Sequence, residues 1–148
     1  MKTSQLIETT NTLKIFMWVL IAQVILSAAI GVLTDTLLLG VLASALIVSA
    51  PMFFIYAKPT LALSKHVVAI ATQLMASLHI QQTMGLTEVH FQVFVLLAFL
   101  SFFRDYKVII SATVVVAIHH IGGFASQHFG GSIVVFEAQK PEFFILLI

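Results

Sequence analysis

The chain has 148 residues, of which 60% are hydrophobic and 9% charged, with a formal net charge of +1 and a mean hydropathy of +1.10. Soluble domains carry about 25% charged residues, so a soluble globular domain is excluded, and the length allows one helical domain over 1–148. The absence of cysteine removes disulfides, thiolate metal sites and cysteine nucleophiles, and no basic run is present to track nucleic-acid phosphates.

Met1 to Thr12 is polar, with Lys2, Glu8 and Asn11. The apolar run that follows is too long for a signal-peptide core and has no small-residue cleavage site after it, which predicts a retained first helix. Leu13 to Leu33 has the length needed to cross the hydrocarbon core. A polar turn, Thr34-Asp35-Thr36, leads to a second span, Thr36 to Tyr56, with Pro51 as a kink of the kind tolerated inside a packed bundle. Lys58-Pro59 stops it.

Thr60 to Met84 is less apolar, because it carries Lys65, His66, Thr72, Gln73 and Ser77. An amphipathic helix lying in the interface is one reading; a third span turning its polar face into the bundle is preferred. Gly85 supplies the next turn, and Val89 to Phe103 makes a short fourth span with a basic side chain snorkelling at its end. Arg104-Asp105-Tyr106-Lys107 is a charged turn before the fifth span, Val108 to Ser126. Gln127 to Lys140 is the longest loop, after which Pro141 introduces Phe143 to Ile148 as the first turns of a sixth span. The expected class is therefore an all-α, polytopic transmembrane bundle of five spans and the start of a sixth.

Charge placement gives the orientation. With a cytoplasmic N-terminus, Lys2, Lys14, Lys58, Lys65, Arg104 and Lys107 fall inside, six of the seven basic residues, and Lys140 alone falls outside. That asymmetry is what the positive-inside rule expects.

Five of the six histidines lie between His79 and His128. On this layout His79 is near the outer end of the third helix and His90 near the outer start of the fourth. His119 and His120 sit in the outer half of the fifth, and His128 follows just outside. His66 lies thirteen residues before His79, roughly 20 Å away along the helix, and belongs to the inner interface. Ionisable groups within membrane spans are rare and face the bundle interior or a cavity.

Neutral imidazole suits zinc, copper, iron and haem. His79, His90, His119 and His120 are the candidate ligands, with Glu88 as a ligand or a tautomer-fixing partner and His128 at the edge. Met75, one turn before His79, and Met84 favour copper ahead of zinc if a thioether joins the imidazoles; core packing is the plain alternative for both. Haem b is the competing cofactor. It needs axial imidazoles and a slot, and Gly122-Gly123 would admit either a flat macrocycle or a close helix. His119 and His120 differ by about 100° around the helix, so they cannot face one centre equally. An ion- or proton-conducting bundle and a purely structural anchor are the remaining readings. Few polar groups, such as Ser101, Ser111 and Thr113, continue towards the inner face. No phosphate loop, HExxH pair or nucleophile elbow indicates an enzyme.

Glu88-Val89-His90-Phe91, then Phe103-Arg104-Asp105-Tyr106, then His119-His120-Ile121-Gly122 together resemble a known membrane region. It is the multi-pass, histidine-rich sensor region that precedes output modules in bacterial methyl-accepting chemotaxis receptors, diguanylate cyclases and histidine kinases. The resemblance spans Leu78 to Phe136, and the first two spans share only its layout. It implies a sensor of the bacterial inner membrane that carries its ligand on Glu88, His90, His119 and His120, with His79 a looser match. It also implies a cytoplasmic signalling module as partner and a homodimer. Two departures stand out: Gln92 occupies a place where members often carry a second histidine, and the family continues through a complete sixth helix.

Overall fold

Five helices make up the part of the chain that the computed structural model describes, residues 3–137. They are α1 (Thr3–Leu33), α2 (Leu37–Ala57), α3 (Ala62–Gln82), α4 (Thr87–Leu100), extended by a 3-10 turn over Ser101–Phe103, and α5 (Tyr106–His128). Helix α1 begins well before the apolar run, since nothing in the polar leader breaks a helix. Thr10 and Thr12 turn their hydroxyls back onto the carbonyls of Leu6 and Glu8, at 2.9 and 3.0 Å. The α1–α2 turn places Asp35 at φ +56°, a left-handed conformation that aspartate tolerates better than most residues. Gly31 is required there, because a Cβ would stand 2.7 Å from the Leu37 Cα.

Three helical segments, Leu6–Leu33, Leu37–Ala57 and Tyr106–His128, are long and apolar enough to cross a membrane, while Thr87–Phe103 is apolar but shorter. The chain is accordingly a membrane protein. The expectation of five full spans is thus met by three on length and composition, and Phe143 to Ile148 lies outside the described residues. Helix α3 falls short because of its polar residues, and the tertiary arrangement explains how it carries them. It packs against α1, α2, α4 and α5, and Thr72, Gln73, His79 and Gln82 are all buried. Large apolar side chains of the other helices face outward instead: Leu46 is 77% exposed and Ile121 72%. Lipid tails are as apolar as leucine, so such a surface costs nothing in a bilayer.

The core runs the length of α3. At one end Leu13 and Phe16 of α1 meet Ile55, Val68, Leu100 and Val108, with the Phe16 ring stacked on Phe103 at 5.0 Å. Further along, Met75 is packed with Leu20, Val48, Ala71 and Leu78. Ala76 and Ile80 meet Val93 and Leu96 of α4. Met75 is therefore a packing residue, and Met84 is exposed in the α3–α4 turn at φ +54°. Neither thioether joins the imidazoles, so the methionine argument for copper lapses.

The charged end is tied by Asp105, which caps α5 by accepting the Lys107 backbone N–H at 3.0 Å and pairs with Lys65 of α3. The hydrogen bond from Lys65 holds the Asp105 carboxyl below its ordinary range, the Lys107 N–H assists, and partial burial opposes both. A depressed folded-state pKa makes this contribution fully present above the unfolded value and progressively lost as pH falls through the folded one. Asp105→Asn keeps a capping side chain but loses the ion pair. It should cost less than about 1 kcal/mol at neutral pH, the scale of a solvent-accessible pair. It should also flatten the acid limb of a melting-temperature profile taken from about pH 6 to about pH 3, around the aspartate range. An unchanged acid limb would assign that limb to other carboxylates.

Candidate functional site

His79, His90, His119 and His120 all lie towards the end of the bundle that carries the α3–α4 turn, but they do not form one cluster. His79 is fully buried, and both of its nitrogens are taken. Its Nε2 is 3.1 Å from the Gln23 backbone carbonyl and its Nδ1 2.9 Å from Gln92 Oε1. A carbonyl only accepts, so a neutral ring donates from Nε2. Its Nδ1 is then an acceptor, and the Gln92 amide must turn its NH2 towards it. His79 is therefore engaged within the protein, clamping α3 to α1 and α4. Gln92 is its partner on α4.

His90 and His120 face each other across α4 and α5. Their ring centroids are 5.6 Å apart, edge to face. Each anchors its Nδ1 on a carbonyl one turn back in its own helix, His90 on Leu86 at 3.1 Å and His120 on Val116 at 2.8 Å. A carbonyl partner requires Nδ1–H, so in both neutral rings the Nε2 carries the lone pair. Metal-ligating histidines are oriented in this way. The His90 Nε2 is buried without a hydrogen-bond partner, and so is the His119 Nδ1. Buried polar atoms are rarely left so.

Helix rotation turns His119 and His120 to different surroundings. His120 faces His90. The His119 ring stands edge-on to His120 at 5.5 Å and also lines an open groove of about 530 Å³ with Leu39, Ile47, Leu74, Leu78 and Ile133. Glu88 is exposed in the first turn of α4. His128 stacks on Phe124 and meets Phe129 edge-on, at 6.2 and 5.1 Å. Among the described residues no three His, Cys, Asp or Glu side chains are grouped to hold a metal ion. What exists is a pair of facing imidazoles, His90 and His120, with His119 beside them.

One contributor was invisible in the sequence. The Phe136 ring lies parallel to His90 at 6.4 Å and edge-on to His120 at 6.1 Å. Gly123 makes room for the returning chain, since a Cβ there would be 1.9 Å from Val135 Cγ2. Gly122 faces open space.

The geometry bears on the cofactor. With metal–nitrogen bonds of about 2.0–2.1 Å, two imidazoles on one ion have centroids about 5–6 Å apart; the 5.6 Å between this pair falls in that range and is equally the spacing of an edge-to-face ring contact. Haem b does not fit the rings as they stand. They meet edge to face with Phe136 against both, and Val135 fills the notch at Gly123 that a macrocycle would use.

No protein-family model, curated protein or solved structure matches the chain.

Proposed function

We infer that this chain is a membrane-embedded sensor region that binds a transition-metal ion, copper ahead of zinc, through His90 and His120, with His119 as the adjacent third donor. The observation carrying this reading is the pair of Nδ1–carbonyl anchors, which leaves two Nε2 lone pairs on rings 5.6 Å apart. Zinc takes three or four protein donors. Copper(I) accepts two or three, which suits a pair of imidazoles with one further ring beside it.

Signal transduction rests on the resemblance of the Glu88–Phe91, Phe103–Tyr106 and His119–Gly122 segments to bacterial sensor regions, and on the placement of basic residues. That reading puts the chain in the bacterial inner membrane with its N-terminus cytoplasmic and α3 and α4 completing the crossings. It adds a cytoplasmic output module and a homodimer as partners. The ion-conducting reading has less support. Gln23 donates to the Thr72 carbonyl at 3.1 Å, and Gln82 joins Ser27 and Thr36 at 2.8 to 3.2 Å. Polar side chains used in this way hold helices together.

Elemental analysis and an absorption spectrum of the purified protein test the assignment. One copper per chain, or per two chains, is the expected result. A Soret band would replace the ion by haem. Failure to retain copper or zinc after reconstitution would remove the metal reading.

A further inference from the structure

The chain that leaves α5 does not run away from the bundle. Residues 131–137 turn back across the ends of α3 and α5, and side chains of those helices take their backbone polar groups. Gln127 Oε1 accepts from the N–H groups of Val135 and Phe136 at 3.0 and 2.9 Å, and its Nε2 donates to the Phe136 carbonyl at 2.7 Å. Gln81 donates to the Ser132 carbonyl at 3.1 Å and accepts from the Val134 N–H at 2.7 Å. Ser126 Oγ accepts from the Ile133 N–H at 3.1 Å. Irregular backbone beside an apolar bundle needs such partners.

Two glycines let the segment sit this close. At Gly123 it presses Val135, which is fully buried, onto the helix. At Gly85, φ +81°, a Cβ would stand 2.5 Å from the Phe136 carbonyl carbon. These fixtures hold the Phe136 ring beside the imidazole pair, parallel to His90 at 6.4 Å and edge-on to His120 at 6.1 Å. The His90 Nε2 is shut from solvent and unpartnered, while Phe136 itself is 47% exposed.

The geometry points to a lid: residues 131–137 form a strap that shuts the His90 Nε2 away with the Phe136 ring beside it and lifts to admit an ion to that atom. Its role as a metal gate rests on the function proposed above; its role as a cover does not. A strap held by six side-chain hydrogen bonds and one seated valine, with no helix or strand of its own, opens locally while the helices stay folded. Ion entry and exit then share one barrier, and the ring sets its height.

Two variants loosen the strap differently. Phe136→Ala removes the cover, and Gly123→Ala lifts Val135 while adding a better helix former. Copper(I) transfer to and from a chromophoric chelator, followed by stopped flow on the full chain, should be faster in both directions in each variant. The expected factor is about tenfold, the scale of one lost aromatic contact; affinity should change far less. A second readout needs no metal: carbethoxylation of His90 by diethyl pyrocarbonate, followed by mass spectrometry, should be slow in the parent and faster in both variants. Faster labelling in a protein that binds no copper would keep the lid and discard the metal. Unchanged His90 labelling in either variant would overturn the lid.

Discussion

His90→Ala and His120→Ala should each lower copper affinity by more than about 100-fold, beyond the 10- to 100-fold typical of losing a residue that merely orients a ligand. Both supply an Nε2 lone pair fixed by a carbonyl on the opposite ring nitrogen, and with either gone only the other ring and the neighbouring His119 remain. His66→Ala is the control. That ring is at the charged end of α3, with Nδ1 2.8 Å from Ser111 Oγ, and its loss should leave copper binding unchanged. His79→Ala separates the two descriptions of that residue. With both nitrogens spent on Gln23 and Gln92, its removal should weaken the fold yet leave metal stoichiometry intact. Stoichiometry lost at His79 but retained at His120 would move the centre to the α3–α4 interface and overturn the assignment.

Gly40→Val should destabilise the bundle by about 2–5 kcal/mol, combining overpacking with a buried polar group deprived of its partners. Gly40 lies where α2 meets α1 and α3. A Cβ there would be 2.6 Å from Gln82 Nε2 and 3.0 Å from both the carbonyl and the hydroxyl oxygen of Ser27. Gln82 cannot simply swing aside, because its amide bonds the Ser27 hydroxyl and carbonyl and the Thr36 hydroxyl. In a membrane interior individual hydrogen bonds are modest, but small residues that let helices approach are a main source of packing. Gly122→Val is the matched comparison, since a Cβ there meets nothing within 4 Å. It should change the midpoint little. Thermal unfolding in one detergent measures both, and equal effects would show that the α1–α2–α3 junction yields more easily than its geometry indicates.

The histidine layer shows how far composition and spacing carry. Helix length and alternating direction bring His79, His90 and the His119-His120 pair towards one end of the bundle, and the structure agrees. Direction around each helix axis is a separate quantity. His79 was grouped with the ligands because depth was all that could be read. Its ring is in fact claimed by Gln92, thirteen residues on, and by a carbonyl of α1. Gln92 is the partner that fixes His79, a role that spacing along the chain does not reveal.

Hydropathy alone determined that this is a helical membrane protein and placed its turns near residues 34–36, 85 and 104–107, because lipid demands long apolar helices whose backbone bonds are satisfied internally. Only the tertiary structure decided which helix lies at the centre, which of His119 and His120 faces His90, and what covers the pair. Hydropathy counts a residue's own character and is blind to its neighbours, so α3, the most polar helix of the set, read as the weakest span although it is the one the others surround. Helix rotation separates adjacent residues by about 100°, and only packing against a second helix sets its origin. The strap over residues 131–137 has no periodicity of its own. Its path is fixed by Gln81, Ser126 and Gln127 together with the space above Gly123, contacts that exist only once α3 and α5 stand side by side.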